Sequence, residues 1–200
     1  MNRTAAPQAN TTAAAGGAYP VSRTTLRGRA RVFGRDVNTD YIISSTRKKE
    51  TLEPALLRHY LMEDLAPGFA ATVAAGDILV AGPNFGCGSA MEVAVTVVLG
   101  AGIQAVVAPS FSRTYWRNAV NNGLLLVVAD TAGIAEGEAL TIALEPTAIA
   151  LHAGTPARAI AAEPLPPFVL ELRAAGGLVN YLRAQRCLDP SRSPTPERAE

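Results

Sequence analysis

At residues 80–91 the chain reads VAGPNFGCGSAM, directly after two further apolar residues. The apolar residues predict a buried strand over Ile78–Gly82, and the glycines that follow allow sharp turns and a close approach of the backbone to a ligand. The loop then delivers Ser89 to the start of a helix, which is predicted over Ser89–Leu99. A helix N-terminus presents backbone N–H groups and the positive end of the helix dipole, so this segment predicts a binding site for a carboxylate or a phosphate.

A purely structural role for Ser89 remains an alternative. Ser89 and Glu92 have the spacing of a capping box, in which the two side chains satisfy backbone N–H groups at the start of a helix. A serine that acts only as a cap contributes about 1 kcal/mol of stability and no chemistry. The loop sequence by itself is compatible with both roles.

The composition of the chain argues against several classes of protein. The 200 residues, 48% of them hydrophobic, suffice for one buried domain with tails. The net charge is +1, and no basic stripe is interleaved with aromatic residues, so nucleic-acid binding is not indicated. No apolar stretch reaches the roughly 20 residues that a membrane-spanning helix needs. The two cysteines, Cys87 and Cys187, exclude a disulfide framework and a cysteine-built metal site on this chain alone, and they favour a reducing, cytoplasmic compartment.

Strands and helices are predicted to alternate along the chain. The predicted strands are 28–33, 78–82, 103–108, 124–129 and 140–144. The predicted helices are 53–63, 89–99, 112–122 and a late one over 167–185 that is interrupted by Gly176-Gly177. Short connections between alternating elements favour a layered α/β domain with parallel strands. Residues 1–20 are predicted to be a disordered extension, 21–187 the folded domain and 188–200 a flexible tail.

Three motifs that occur in a fixed order resemble those of a known family. They read VNTDYII at 37–43, GDILVAGPNFGCGS at 76–89 and SFSRTYWRNAVNNGL at 110–124. Together they closely resemble the small subunit of 3-isopropylmalate dehydratase, the swivelling domain of the aconitase superfamily. The resemblance covers residues 25–130 well, and it implies an α/β fold of the layered β/α swivelling type.

The resemblance implies a two-subunit hydro-lyase or isomerase of leucine synthesis that acts on a hydroxy di- or tricarboxylate. In that family a large subunit carries a 4Fe–4S cluster that binds the substrate, and the small subunit closes the site. The serine that matches Ser89 removes a proton alpha to a carboxylate, and the pair that matches Thr39 and Asp40 lies near the active site. The resemblance therefore gives these three residues as catalytic candidates and Gly88 and Ala90 as substrate contacts, with no cofactor bound by this chain.

The chain departs from the family's pattern beside the serine. The family's loop usually continues as Gly-Ser-Ser-Arg-Glu, whereas this chain has alanine and then Met91 after the first serine. The family's arginine would bind a substrate carboxylate, and methionine cannot imitate that contact. In the family, a loop that helps to set substrate choice follows the first motif. We expect a cation of that loop, Arg47, Lys48 or Lys49, to bind the carboxylate instead; a merely solvated loop is the alternative.

Two other functions remain open at this point. One is an enzyme of another pathway that acts on homoaconitate, dimethylmalate or a similar acid, which the change at Met91 favours. The other is a non-catalytic binding or regulatory module that has kept the swivelling fold. Met91 favours this module too, whereas Ser89 and Asp40 argue against it. Arg113 and Arg117, four residues apart on one face of a predicted helix, are a second candidate pair for binding an anion; pairing with the sheet edge or with the partner subunit is the alternative.

Overall fold

A seven-stranded sheet forms the centre of the computed structural model, which describes residues 23–145 and 148–185 except for the side chain of Lys48. In chain order the strands are β1 (Thr24–Val32), β2 (Ile78–Val80), β3 (Ala105–Ala108), β4 (Leu125–Val128), β5 (Ala139–Leu144), β6 (Ile149–Ala153) and β7 (Arg158–Ile160). Across the sheet their order is β4-β3-β2-β1-β5-β6-β7. The predicted extension over 1–20 and the predicted tail over 188–200 lie outside the described residues.

The first four strands are parallel to one another, and the last three continue the sheet in antiparallel pairing. Both faces of β2 are buried: Leu79 packs in one apolar cluster with helical residues, and Ile78 and Val80 pack in a second cluster with residues of β5 and β6. Burial on both faces explains why the central strands read as continuous apolar runs rather than as alternating patterns.

The sheet curls until its two ends meet. Ala162, which follows β7, forms an antiparallel bridge with Ala129, which follows β4. The backbone N–H of Glu163 also donates to the carbonyl oxygen of Val128 at 2.9 Å. The second apolar cluster therefore lies inside a nearly closed sheet.

The helices contribute residues to both apolar clusters. In chain order they are α1 (Thr39–Ile42), α2 (Arg47–Glu50), α3 (Pro54–Leu57), α4 (Phe69–Thr72), α5 (Val93–Gly100), α6 (Arg113–Asn122), α7 (Pro167–Ala174) and α8 (Leu178–Ala184). The interruption predicted at Gly176-Gly177 separates α7 from α8, and Gly123 ends α6 in the left-handed conformation that favours glycine. Within the described residues, no helix has the length and apolar character needed to cross a membrane.

The prediction of one continuous helix over 53–63 is wrong. Only α3 and a following 3-10 turn over Arg58–Tyr60 form, because Met62 takes a left-handed conformation with φ of 58°. Its N–H donates to the carbonyl oxygen of Ile42 at 3.0 Å, a contact that ties the segment to the end of α1. Strands β6 and β7 were not predicted, since both are short and only β6 alternates clearly between buried and half-buried residues.

A buried acid lies at the edge of the sheet where β2 begins. The side chain of Asp77 is 3% exposed and accepts hydrogen bonds from the backbone N–H of Ala74 at 3.0 Å and from Arg29 and Arg31 at 3.2 Å. Burial by itself raises the pKa of Asp77, but these donors outweigh burial and hold the pKa below its usual value. The ionised carboxylate therefore stabilises the fold above the unfolded-state pKa, and this stability is lost as the pH falls through the lower folded-state pKa.

We expect Asp77→Asn to lower the free energy of unfolding by about 3 kcal/mol at neutral pH, because it removes the charge that two guanidinium groups share. The difference from wild type should begin to shrink below about pH 4, where the carboxyl of the unfolded wild-type chain becomes protonated, and shrink further as the pH falls through the lower folded-state pKa. Urea unfolding at neutral and acidic pH measures both effects. The control is Glu145→Gln, which removes the exposed ion pair with Arg23 and should cost less than about 1 kcal/mol. Equal losses in the two variants would contradict the account.

Candidate active site

The loops that follow β1, β2 and β3 meet at one edge of the sheet. Parallel strands bring their carboxyl ends together, and open α/β sheets bind ligands at that edge. Two isolated bridges, Asn38 with Cys87 and Phe85 with Phe111, continue the pairing of the strands into these loops. The loops after β1 and β2 contain the three catalytic candidates.

Thr39 joins the first loop to the second. It is 1% exposed, its backbone N–H donates to the carbonyl oxygen of Cys87 at 2.7 Å, and its Oγ1 donates to the carbonyl oxygen of Ser89 at 3.1 Å. The next residue, Asp40, is exposed, and its backbone N–H donates to the side chain of Asn38, which caps α1, at 2.9 Å. The structure therefore brings the backbone of Ser89 into contact with Thr39, the residue before Asp40.

The capping-box interpretation of Ser89 is wrong. Helix α5 begins at Val93, not at Ser89, and its first turn has no capping side chain. The helix starts late because the N–H of Met91 turns back to the carbonyl oxygen of Ser89 at 2.8 Å, which is too tight a turn for a helix. The Ser89 hydroxyl is exposed and has no hydrogen-bond partner among the described residues, so it is available to a ligand.

The glycines of the serine loop hold it against its neighbours. Gly86 and Gly88 have φ values of 75° and 101°, and a Cβ would overlap the ring of Tyr115 at the first and the side chain of Asn38 at the second. Only glycine combines such a φ with such a close approach. Within the described part of the chain, the backbone N–H groups of Gly88, Ser89 and the exposed Ala90 have no hydrogen-bond acceptor. The loop thus presents free N–H donors around the serine.

Asn38 was not among the predicted site residues, although it forms this contact. Its side chain caps α1 and lies directly against Gly88. Asparagine is a preferred N-cap, but no helix was predicted after Asn38. The short helix that it caps has no periodicity by which sequence analysis could have found it.

Met91 points into the core. Its side chain is 6% exposed and belongs to the apolar cluster that also contains Phe85 and Tyr115. The position at which the family's pattern has an arginine therefore holds an inward-facing apolar side chain. Ala90 is the exposed neighbour of Ser89 instead, and it carries no charge.

The predicted cationic loop forms α2. The Nε and Nη2 atoms of Arg47 donate to the two carboxylate oxygens of Glu63 at 2.8 and 3.1 Å, and its Cζ lies 4.0 Å from the centre of the Tyr60 ring. The hydrogen bonds that Arg47 donates to Glu63 raise the pKa of Arg47 above its ordinary value. Lys49 is exposed, whereas the side chain of Lys48 lies outside the described structure. Arg47 is thus held against its own chain, and Lys49 extends into solvent.

A cleft of about 290 Å³ at the start of α6 is lined by Phe111, Arg113, Trp116 and Arg117. Arg113 and Arg117, the two arginines that were predicted to bind an anion, therefore line the same cleft. Neither arginine has an acidic partner among the described residues. The hydroxyl of Ser112 caps α6 and donates to the carbonyl oxygen of Gly86, which links the helix to the serine loop. On the opposite face of α6, burial raises the pKa of Tyr115 far above its usual value, so its phenol stays neutral.

The described residues do not fit an iron–sulfur cluster. Such clusters are held mainly by cysteine thiolates, and the chain has two cysteines. Cys87 is a free, half-buried thiol, and Cys187 lies beyond the described residues. Across 23–145 and 148–185, no three His, Cys, Asp or Glu side chains lie close enough together to hold a metal ion. No step of the chemistry can therefore be derived through a cluster held by these residues.

The chain is similar to proteins of known family over most of its length. Residues 67–131 match the family described as the aconitase C-terminal domain. A 3-isopropylmalate dehydratase small subunit from Aliarcobacter butzleri is 43% identical over 162 residues, which cover 80% of this chain and 96% of that protein. A methanogen homoaconitase small subunit from Methanocaldococcus jannaschii is 39% identical over 163 residues, which cover 82% and 94% of the two chains.

A solved structure extends the similarity to the fold. The crystal structure of a 3-isopropylmalate dehydratase from Methanocaldococcus jannaschii matches this structure with a TM-score of 0.77 at 37% sequence identity. The match covers 85% of this chain and 100% of that chain. The resemblance seen in the three motifs and the predicted layered β/α fold are both confirmed.

Proposed function

The chain belongs to the family of 3-isopropylmalate dehydratase small subunits within the aconitase superfamily, and we propose that it forms, with a large subunit, a hydro-lyase for a hydroxy di- or tricarboxylate. The observation that carries the proposal is the contact of Thr39 Oγ1 with the backbone of Ser89, which unites the two candidate catalytic loops. Relatives named small subunits support a larger partner that completes the site. The low cysteine count of the chain supports a reducing, cytoplasmic compartment.

The division of labour between the two chains follows from the chemistry. Loss of water from a hydroxy acid needs a base for a weakly acidic C–H and a Lewis acid for the departing hydroxide. When bound to the partner, a 4Fe–4S cluster supplies the Lewis acid. Ser89 supplies the base, and the free N–H groups of Ser89 and Ala90 stabilise negative charge on the alkoxide or on a substrate carboxylate. Asp40, an exposed carboxylate next to Thr39, is the third catalytic candidate of the site.

Reconstitution tests this proposal. The chain is purified alone and together with an aconitase-type large subunit from the same genome, and each sample is treated with iron and sulfide. We expect the pair to convert at least one acid of a panel of hydroxy acids to its unsaturated product, and we expect this chain alone to show neither turnover nor cluster absorbance. A stoichiometric cluster on this chain would contradict the proposal. A stable, cluster-loaded pair that converts no acid would favour a binding module.

Homoaconitate, a tricarboxylate, is the second candidate substrate. The observation that favours it is the 39% identity with a homoaconitase small subunit, which is close to the identity with the dehydratase relatives. The panel therefore includes homoaconitate beside 3-isopropylmalate and dimethylmalate. The acid with the highest kcat/KM decides between the candidates.

Recognition of the substrate's second carboxylate is a separate prediction. We expect alanine at Lys49 or Lys48 to raise the KM for the true substrate about tenfold or more, because a charge-assisted contact is lost. Alanine at Arg47 removes the third candidate cation, and it also leaves Glu63 without its ion pair. Steady-state kinetics of the three variants measure the effect. If all three behave like wild type, recognition belongs to the partner or to the cleft beside α6.

A further inference from the structure

Two residues outside the proposed catalytic set lie in left-handed conformations and contact each other. Asp36, in the loop after β1, has a φ of 56°, and Asn84, in the loop after β2, has a φ of 65°. The Nδ2 of Asn84 donates to the Oδ1 of Asp36 at 2.8 Å. Left-handed backbone is uncommon outside glycine, and it persists where surrounding contacts hold it, often beside functional sites.

We propose that Asp36 and Asn84 form a clasp that fixes the register of their two loops and so positions Ser89 against Thr39, the residue before Asp40. Neither residue is assigned to the substrate; each acts through the catalytic candidates that follow it in its own loop. The inference rests on the proposed function, because the groups that the clasp positions are the proposed catalytic groups.

The clasp begins a series of contacts that runs along both loops to Ser89. The N–H of Asp36 itself donates to the carbonyl oxygen of Pro83 at 2.9 Å. Three further contacts follow in order: the N–H of Gly86 to Val37 at 2.8 Å, the N–H of Thr39 to Cys87 at 2.7 Å and the Oγ1 of Thr39 to Ser89 at 3.1 Å. A slip of one residue between two extended chains shifts them by about 3.3 Å. Such a slip would separate Ser89 from the Thr39–Asp40 pair.

Asn84 extends the clasp to the third loop of the site. Its backbone N–H donates to the Oγ of Ser110 at 2.8 Å, and the next N–H, that of Phe85, donates to the carbonyl oxygen of Ser110 at 3.0 Å. The second carboxylate oxygen of Asp36 accepts from Arg35 at 2.7 Å. The Asn84 amide and then Arg35 hold the pKa of Asp36 below its usual value, so the clasp joins an amide donor to an ionised carboxylate.

The exposure of the clasp argues that its role is local. The Asp36 side chain is 47% exposed, and Asn84 is also exposed. Contacts between exposed charged side chains contribute little to global stability. Loss of the clasp should therefore raise the amide exchange rates of the two loops and lower kcat. The free energy of unfolding of the whole domain should hardly change.

A swap of the two side chains tests the clasp without changing the backbone preference, since Asn and Asp both tolerate the left-handed conformation. Asn84→Asp brings two carboxylates together and should lower the kcat of the reconstituted pair about tenfold or more, with KM changed less than about threefold. The double variant Asp36→Asn/Asn84→Asp restores an amide facing a carboxylate and should recover most of the kcat. Two controls make the same chemical changes at exposed sites outside the clasp: Asn121→Asp matches Asn84→Asp, and Asp64→Asn matches Asp36→Asn.

Amide hydrogen exchange of the free chain gives a readout that does not depend on activity. The backbone N–H groups of Thr39 and Gly86 should exchange faster in Asn84→Asp and return toward the wild-type rate in the double variant. Unchanged exchange in Asn84→Asp, or no recovery of exchange and kcat in the double variant, would overturn the clasp. Absence of turnover by the wild-type pair would instead refute the proposed function, and the exchange rates would still decide whether the clasp fixes the loops.

Discussion

Ser89→Ala is expected to lower the kcat of the assembled enzyme roughly 100- to 10,000-fold, the range over which a positioned base contributes to rate. The same change should leave the free energy of unfolding within about 0.5 kcal/mol of wild type. The rate falls because no other group at that position can take the proton. Stability is unchanged because the hydroxyl is exposed, has no partner among the described residues and lies four residues before α5 begins.

Steady-state kinetics of the reconstituted pair and urea unfolding of the free chain measure the two effects of Ser89→Ala. The matched control is Thr114→Ala, which removes an exposed hydroxyl from α6 without touching the serine loop. Wild-type turnover in a well-assembled Ser89→Ala pair would refute the assignment of the base. A loss of about 1 kcal/mol of stability with little loss of rate would instead restore a capping role.

Gly88→Ala should be damaging to both fold and activity. The backbone at Gly88 has a φ of 101°, and a Cβ would overlap the side chain of Asn38. Strained backbone and an overpacked contact together should cost about 3 kcal/mol of stability. Because Asn38 caps the helix that carries Asp40, the two loops must separate, and a displacement of about 1 Å at a reacting group can cost roughly 100-fold in rate. Thermal unfolding and the kinetics of the pair measure the two losses.

Gly133→Ala is the matched control for this variant. Gly133 also has a positive φ, of 80°, but nothing lies within 4 Å of the Cβ position. It therefore isolates the backbone penalty, which should be about 1–2 kcal/mol, and turnover should be unchanged. Equal losses of stability and rate in the two variants would show that the contact of Gly88 with Asn38 does not matter.

The parallel half of the sheet could be predicted because its pattern is local. Apolar runs such as Ile78–Val80 are buried on both faces, and the glycines after β2 mark the turn toward the site. The late helix and its interruption at Gly176-Gly177 were predictable for the same reason. The three motifs then identified the family. The contact between Thr39 and Ser89 joins the first motif to the second.

The rest depended on contacts between distant parts of the chain. Helix α5 starts at Val93 because the N–H of Met91 turns back to the carbonyl oxygen of Ser89, whereas the spacing of Ser89 and Glu92 indicated a start at Ser89. The helix predicted over 53–63 ends early because Met62 bonds to the end of α1. No sequence pattern shows that Arg47 pairs with Glu63. The sequence alone therefore predicts that Arg47 is available to a substrate carboxylate, although it is already paired.

The most direct test of the central claim is hydrogen exchange at the substrate carbon alpha to the carboxylate. The wild-type pair and the Ser89→Ala pair, each loaded with its cluster, are incubated in deuterium oxide with the acid that reconstitution identifies, and deuterium at that carbon is followed by NMR. The account predicts incorporation by the wild-type pair and none above background by the Ser89→Ala pair. Equal incorporation by both pairs would show that another group removes the proton, and it would contradict the assignment of Ser89 as the base.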